Sequence, residues 1–129
     1  METNTFPIVL EIQESWPDSG SLHLDAHFAG EVAVSPSLAR QRAAGFLAGK
    51  VTLMVLAGAP VLVLSQPPVW RVPACLHFPG LGQVATIGSV DVDAVTGKVL
   101  FPPPDEIAAM QRHANAIAAS LALPPAPTI

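Results

Sequence analysis

Cysteine, charge and recognisable functional motifs are all scarce in this sequence. Its 129 residues include one cysteine, and only 12% of them are charged. A single cysteine excludes a disulfide within the chain and is typical of a reducing compartment. The six lysines and arginines are outnumbered by ten acidic residues, which argues against binding to nucleic acid. We find no catalytic motif, metal-binding signature or phosphate-binding loop.

The N-terminus and the hydrophobicity of the chain predict its location and partners. The first residues lack the basic start and apolar run of a signal peptide, so we expect a cytoplasmic protein. Hydrophobic residues make up 50% of the sequence, and the mean hydropathy is +0.47. One protomer of this size is expected to leave apolar surface exposed, so we predict a homo-oligomer, most simply a dimer. We expect no cofactor, no nucleic acid and no membrane, and the sequence does not identify a protein partner.

A chain of this length is expected to form one domain with a substantial core. We predict an α+β fold in which a long central helix and a C-terminal helix pack an antiparallel β-sheet, with an N-terminal β-hairpin. The domain covers residues 1–122, and its parts are the hairpin over 6–34, a helix and sheet over 36–100, and the last helix over 103–122. Residues 123–129, which contain three prolines, are predicted to be a flexible tail.

The third quarter of the chain predicts two antiparallel strands joined by a turn. Apolar residues alternate along Val69–Phe78 and again along Val84–Ala94, and Pro79–Gln83 between them contains turn-forming residues. The predicted register pairs Phe78 with Val84, Leu76 with Thr86, Ala74 with Gly88, Val72 with Val90, and Trp70 with Val92. It also places Arg71 opposite Asp91 as an ion pair. The small residues Ala74 and Gly88 leave a notch that a helix can approach closely.

A tight turn follows the second of these strands. Asp93 is expected to cap backbone amides of the turn, and Gly97 to adopt the left-handed conformation. The segment Lys98–Leu100 then pairs back as a short strand. The run Val90–Leu100, preceded by a hydrophobic helix and strands, resembles the close of a PepSY domain. The resemblance covers residues 36–100.

The PepSY resemblance implies a small helix-plus-sheet binding or inhibitory module without catalytic residues. Such domains usually belong to exported or membrane-attached proteins, whereas we find no export signal here. We therefore take the fold from the resemblance and not an inhibitory role.

The central helix is predicted to begin at Pro36, with Ser35 as its N-cap, and to run to about Ala57. In an alternative prediction, the helix ends near Gly49 and residues 51–56 form a strand. From residue 43 onward the helix is apolar nearly all round, so we expect it to be covered on every side. Its glycines at positions 45 and 49 predict close packing against the sheet.

The apolar segment Ala43–Leu64 is long enough to cross a membrane. Lys50 near its centre and the break at Gly58 and Pro60 favour instead a helix followed by a strand. That strand, Pro60–Leu64, shows no alternation of apolar and polar residues, so both of its faces are expected to be buried.

The N-terminal residues contain the one arrangement that suits a metal ion. Residues 6–13 and 22–28 each alternate as strands do and together predict the hairpin, which either joins its own sheet or swaps to a neighbour. On the second strand, His23, Asp25 and His27 share one face, and imidazole and carboxylate groups suit zinc or another divalent ion. In the alternative prediction these three residues are the polar side of a solvent-facing strand.

Two features are candidate interaction surfaces. The last helix carries a narrow apolar stripe formed by Ile107, Met110, Ala114, Ile117 and Leu121. The stripe either docks onto the sheet of its own protomer or contacts a second subunit. Trp16, beside a proline in a predicted loop, is a candidate anchor for a partner, with plain loop packing as the alternative.

Cys75 and His77 share a strand face, but we identify no oxyanion donor or orienting residue near them, so we expect Cys75 to act as a small buried apolar residue. The sequence thus predicts a non-enzymatic protein-interaction or regulatory module. The alternative is a metal- or small-ligand-binding protein, which uses His23, Asp25 and His27 or a pocket between helix and sheet.

Overall fold

Two helices and a six-stranded sheet make up the part of the chain that the structure describes. The computed structural model describes residues 8–10, 31–65 and 67–121. Its elements are β1 (Ile8–Leu10), α1 (Pro36–Lys50), β2 (Val55–Ala57), β3 (Val61–Leu64), β4 (Val69–Phe78), β5 (Gly82–Asp93), β6 (Val99–Leu100) and α2 (Pro104–Ser120). The strand order is β1-β3-β4-β5-β6, and β2 also pairs with β4. All pairs are antiparallel except β1 with β3. The predicted α+β class is confirmed.

Helix α1 begins where the sequence predicts and ends earlier. The Ser35 hydroxyl accepts a hydrogen bond from the Leu38 N–H at 3.1 Å, which satisfies one of the free donors of the first turn. The helix ends at Lys50, and β2 follows in antiparallel pairing with β4. The predicted extension of the helix to Ala57 is therefore wrong. The alternative is confirmed in its helix end near Gly49 and in a following strand, but that strand covers Val55–Ala57 and not residues 51–56. The free edge of β4 offers backbone partners that local propensity does not foresee.

Only one side of α1 is buried within the described structure, and cover of its other sides by a second protomer stays a prediction. Its buried residues are Ala39, Ala43, Phe46 and Leu47. The opposite side carries Gly45 and Gly49, at which an added Cβ would lie within 4 Å of no described atom. The predicted close packing of these two glycines against the sheet is wrong. Because glycine has no side chain to bury, this side tolerates exposure to solvent.

The β4–β5 register is as predicted over its first half. Trp70 pairs with Val92, Val72 with Val90, and Ala74 with Gly88. Beyond Ala74 the register shifts twice, so Leu76 pairs with Ala85 and Phe78 with Gly82. The predicted pairs Leu76–Thr86 and Phe78–Val84 are therefore wrong. The first shift passes over Ile87, which is buried in the core, and a bulge of this kind re-aims a side chain that strict alternation would leave outside.

The core lies between the helices and the face of the sheet that carries Trp70. The Trp70 indole is 1% exposed, and its N–H donates to the Val34 carbonyl at 2.8 Å, so its polar atom is satisfied inside the core. In β3, Leu62 and Val63 are both buried, which confirms that strand as covered on both faces. Strand β1 pairs with β3 of the same chain, and the second strand of the predicted hairpin, over 22–28, lies outside the described residues.

Helix α2 closes onto the sheet at Gly88. Met110, Ala114 and Ala118 are its buried residues. A Cβ added to Gly88 would lie 2.6 Å from the Met110 sulfur and 2.9 Å from its Cγ. The notch predicted at Ala74 and Gly88 is thus the place where a helix approaches, and α2 is that helix. Neither helix in the described part of the chain combines the length and the apolar character needed to cross a membrane.

Candidate functional site

An open groove of about 770 Å³ lies between α1 and the segment around β6. The α1 side contributes Leu38, Gln41, Arg42, Gly45 and Phe46, and the other side contributes Gly97, Lys98, Val99 and Phe101. We call this feature the α1–β6 groove. Gly45 lines the groove, and a Cβ added there would lie within 4 Å of no described atom. The sequence predicted a pocket between helix and sheet as an alternative, but it indicated neither the residues of this groove nor the role of Gly45.

Phe101 is the most unusual side chain of the groove. It follows β6 directly and is 75% exposed. Its ring centroid lies 5.5 Å from that of Phe46, with the two planes tilted by 43°. This separation is within the range of favourable aromatic pairs. Phe46 is buried and contacts one side of the Phe101 ring, while the rest of that ring faces solvent. Large exposed aromatic side chains beside a cleft are typical of binding surfaces.

The turn from Asp93 to Lys98 positions one end of the groove. The Asp93 Oδ1 atom accepts the N–H of Val95 at 2.8 Å and that of Thr96 at 2.9 Å. Gly97 has φ of +79°, and its N–H donates to the Asp93 carbonyl at 2.9 Å. The predicted cap and left-handed glycine are both confirmed. Without this turn, β6 and its side chains would not be held beside α1.

The same hydrogen bonds hold the pKa of Asp93 below its ordinary value of 3.8. The backbone N–H of Thr96 has the largest effect, followed by that of Val95, and the nearby Lys98 charge adds a smaller one. Burial acts in the opposite direction but does not reverse the shift. Asp93 therefore stays ionised while it caps the turn.

Two cations and no acid line the described part of the groove. Arg42 and Lys98 lie on opposite sides of it, and neither side chain forms an ion pair with a described residue. Two of the cations outside the groove differ. Arg71 forms the predicted pair with Asp91 through two contacts, of 2.9 and 3.1 Å. Arg40 donates to the Ala57 carbonyl at 2.9 Å.

The predicted metal ligands His23, Asp25 and His27, and the predicted anchor Trp16, lie outside the described residues. Their roles stay predictions. Within residues 8–10, 31–65 and 67–121, no three His, Cys, Asp or Glu side chains are grouped closely enough to hold a metal ion.

The apolar stripe of α2 faces the core of its own protomer over most of its length. Met110 is 5% exposed, against Gly88. Ile107 and Ile117 are partly buried and pack against the core cluster, whereas Leu121 is exposed. This arrangement matches the docking alternative. An intersubunit role for Ile107, Met110, Ile117 and Leu121 stays a prediction.

Cys75 is buried, as expected for a small apolar side chain. A Cβ added to Gly58 would lie 2.9 Å from its sulfur, so the thiol is packed closely by backbone.

The chain matches no family model, no curated protein and no solved structure. The PepSY resemblance therefore stays a prediction that rests on the Val90–Leu100 run.

Proposed function

We propose that this protein is a small cytoplasmic, non-enzymatic interaction module that binds a segment of a protein partner in the α1–β6 groove. The observation that carries the proposal is Phe101, which is 75% exposed at the edge of the groove. Burial of such a side chain by a partner releases it from water, and aromatic side chains held in this way dominate binding energy in many interfaces. The single cysteine is consistent with a reducing compartment such as the cytoplasm.

Display of a random peptide library against the full chain tests the proposal. We expect peptides to be enriched on the parent protein, and the affinity of a synthesised winner to fall more than about tenfold for Phe101→Ser. Gly45→Gln should block binding because it places a side chain in the groove. Gly49→Gln is the matched control, since it lies one turn further along the same helix and outside the groove.

The proposal fails if no peptide is enriched over a bare-surface control. It also fails if the enriched peptides bind the parent, Phe101→Ser and Gly45→Gln proteins with equal affinity, because their site is then elsewhere.

We further propose that the protein functions as a homo-oligomer, most simply a dimer. The support is the apolar surface away from the groove, where Leu53 is 57% and Leu56 is 51% exposed. Native mass spectrometry of the full chain should show a dimer at micromolar concentration. A monomer over the whole accessible concentration range would contradict this part of the proposal.

A small-ligand-binding role is the second candidate, because the groove volume of about 770 Å³ lies within the range of small-molecule pockets, about 300–1,000 Å³. Native mass spectra of protein purified without chelator would then show added mass that Gly45→Gln removes. Added mass that matches a metal ion and is lost in His23→Ala would instead favour the predicted metal site. Spectra at the mass of the chain alone would count against both.

A further inference from the structure

We infer that the segment bound in the α1–β6 groove presents apolar side chains next to a carboxylate. The inference rests on the proposed function and specifies the chemistry of the partner. It comes from the charges around the groove, whereas the proposed function comes from the exposed aromatic ring.

Basic side chains are rare in this protein and two of them line the groove. The whole chain has six lysines and arginines and a net charge of −4. Arg42 on α1 and Lys98 beyond the turn both line the groove, and no acidic residue is among the described residues that line it with them. The described lining of the groove thus carries two positive charges and no negative one, in a chain whose net charge is −4. An anionic group is the complement of these two charges.

Neither of these two cations forms an ion pair with a described residue, although the Lys98 charge acts weakly on Asp93. Arg71, by contrast, is paired with Asp91, and Arg40 donates to a backbone carbonyl. The acid nearest to Lys98 along the chain is Asp93, whose Oδ1 atom is already an acceptor for two N–H groups of the turn. Arg42 and Lys98 therefore remain available to a carboxylate from outside.

The apolar side chains that line the groove are the reason to expect apolar side chains in the bound segment. Leu38, Phe46 and Val99 line it together with Phe101. A free anion would satisfy the cations but leave these side chains in water. A segment that carries both a carboxylate and apolar side chains would pair with the cations and cover the apolar residues at the same time.

The shape of the groove favours a peptide over a small molecule. Small-molecule sites enclose about 70–90% of their ligand, whereas this groove is open to solvent along one side and Phe101 is three-quarters exposed. An extended segment of a partner can lie along α1 and cover Phe101 from outside. We therefore assign the carboxylate to an aspartate or glutamate of a protein segment.

Glu106 on the other side of Phe101 gives the bound segment a direction. A separate cleft of about 380 Å³ includes Phe101 together with Glu106 and the Arg71–Asp91 pair, whose charges offset each other. A carboxylate on the segment is attracted toward Arg42 and Lys98 and repelled by Glu106. The acid of the segment is thus expected on the Lys98 side of the residue that contacts Phe101.

The experiment uses the peptides selected from the random library. We expect aspartate and glutamate to be enriched near an apolar residue, relative to the unselected library. For a synthesised winner, Arg42→Gln and Lys98→Gln should each weaken binding about two- to fivefold, as for exposed ion pairs. Arg112→Gln is the control. It removes the same charge from an exposed position on α2 that lines no cleft described here, and it should leave the affinity unchanged.

Salt and peptide variants complete the test. Replacement of the acid of the peptide by its amide should weaken binding to the parent protein and leave binding to the Arg42→Gln/Lys98→Gln double variant unchanged. Raising the ionic strength from about 0.01 M to 1 M shortens the Debye length from about 30 Å to 3 Å and should weaken the acidic peptide alone.

The outcomes separate the two proposals. Peptides that depend on Phe101 but lack acids, and bind the double variant as well as the parent, would overturn this inference and leave the proposed function standing. An absence of Phe101-dependent peptides would overturn the proposed function. If dodecanoate binds the groove and no peptide does, the carboxylate belongs to a lipid-like molecule and the peptide assignment is overturned.

Discussion

The two helices meet the sheet in opposite ways, and in each case the contact includes a glycine. At Gly88, the α2 residue Met110 fills the space where a side chain would begin, so an added Cβ would lie 2.6 Å from its sulfur. At Gly45, α1 stands beside β6 with no described atom within 4 Å of such a Cβ. Gly88 allows two elements to pack closely, whereas Gly45 faces open space between two elements. The first contact stabilises the domain, and the second leaves a groove.

Local features explain why one contact is closed and the other is open. Helix α2 carries a long, adaptable Met110 toward the sheet, and methionine fills irregular gaps well. Beside α1, the two-residue strand β6 is followed at once by Phe101 and by prolines, which remove backbone donors and prevent a longer strand. Phe101 contacts Phe46 and turns outward instead of closing the groove.

The largest expected effect comes from the closed contact. Gly88→Val should destabilise the protein by about 1–3 kcal/mol, because its methyl groups would overlap the Met110 side chain. Met110→Ala should cost about 2–5 kcal/mol in the parent protein. The double variant should lose clearly less stability than the sum of the two single losses, since the valine fills the space that the methionine leaves. Urea unfolding of the four proteins measures each free energy.

Strictly additive costs in that cycle would show that Gly88 and Met110 do not share one space. The statement that Met110 fills the space beside Gly88 would then be wrong.

The open contact predicts a change of opposite sign. Gly45→Ala and Gly49→Ala should each stabilise the protein by about 0.5–1 kcal/mol, because alanine favours the helix and meets no described atom at either position. Thermal unfolding should therefore show a higher Tm for both variants. A lower Tm for Gly45→Ala alone would mean that the groove is closed in solution.

Paired and unpaired cations extend the comparison to the surface. Asp91→Asn should cost about 0.2–1 kcal/mol, because the Arg71–Asp91 pair is partly exposed, with side chains 35% and 28% accessible. Arg42→Gln and Lys98→Gln should change the free energy of unfolding by less than about 0.5 kcal/mol. Urea unfolding measures the free energy of unfolding of Asp91→Asn and of the two groove variants. A large loss of stability from either groove variant would show that its charge is needed for folding.

The smallest expected effect concerns the turn that holds one end of the groove. The folded-state pKa of Asp93 lies below its ordinary value of 3.8. Its charge therefore contributes stability above the unfolded pKa, and this contribution is lost as the pH falls through the lower, folded value. Asp93→Asn keeps an oxygen acceptor and loses the charge. Since Asp93 is well solvated, its removal should cost no more than about 0.5 kcal/mol near neutral pH.

Urea unfolding of the parent and Asp93→Asn proteins as a function of pH tests this point. The difference in stability should be constant above about pH 5 and shrink below pH 3.8. If the difference persists unchanged at lower pH, its cause is the changed shape of the side chain at position 93 and not the lost charge.

Sequence reasoning succeeded where interactions are local or strictly periodic. The Ser35 cap, the Asp93 turn with Gly97, and the Trp70–Val92 half of the register depend on neighbours in sequence or on alternation. It failed where a distant partner competes with local propensity. The end of α1 is one such place, because residues 55–57 pair with β4 instead of continuing the helix. The bulge at Ile87 is another, since it depends on what the core must fill.

The candidate site was less predictable than the fold. The predicted ligands and anchor at the N-terminus lie outside the described residues, and the predicted pocket between helix and sheet was not assigned to any residues. Phe101 beside three prolines was the available signal, because an aromatic residue in a segment that cannot extend a strand has no obvious place in the core. The two glycines of α1 were noticed for the wrong reason, as packing positions and not as open space.

The sequence by itself determined the class of fold, the turn chemistry, the cap of the first helix and the half of the central register that alternates strictly. These features follow from backbone geometry and from residues close together in the chain. Only the tertiary structure decided that Gly88 is filled and Gly45 is open, and that Arg42, Lys98 and Phe101 meet at one cleft. The physical reason is that each of these facts depends on what lies across space from a residue, and glycine in particular has the same local signature whether a neighbour occupies its empty side or not.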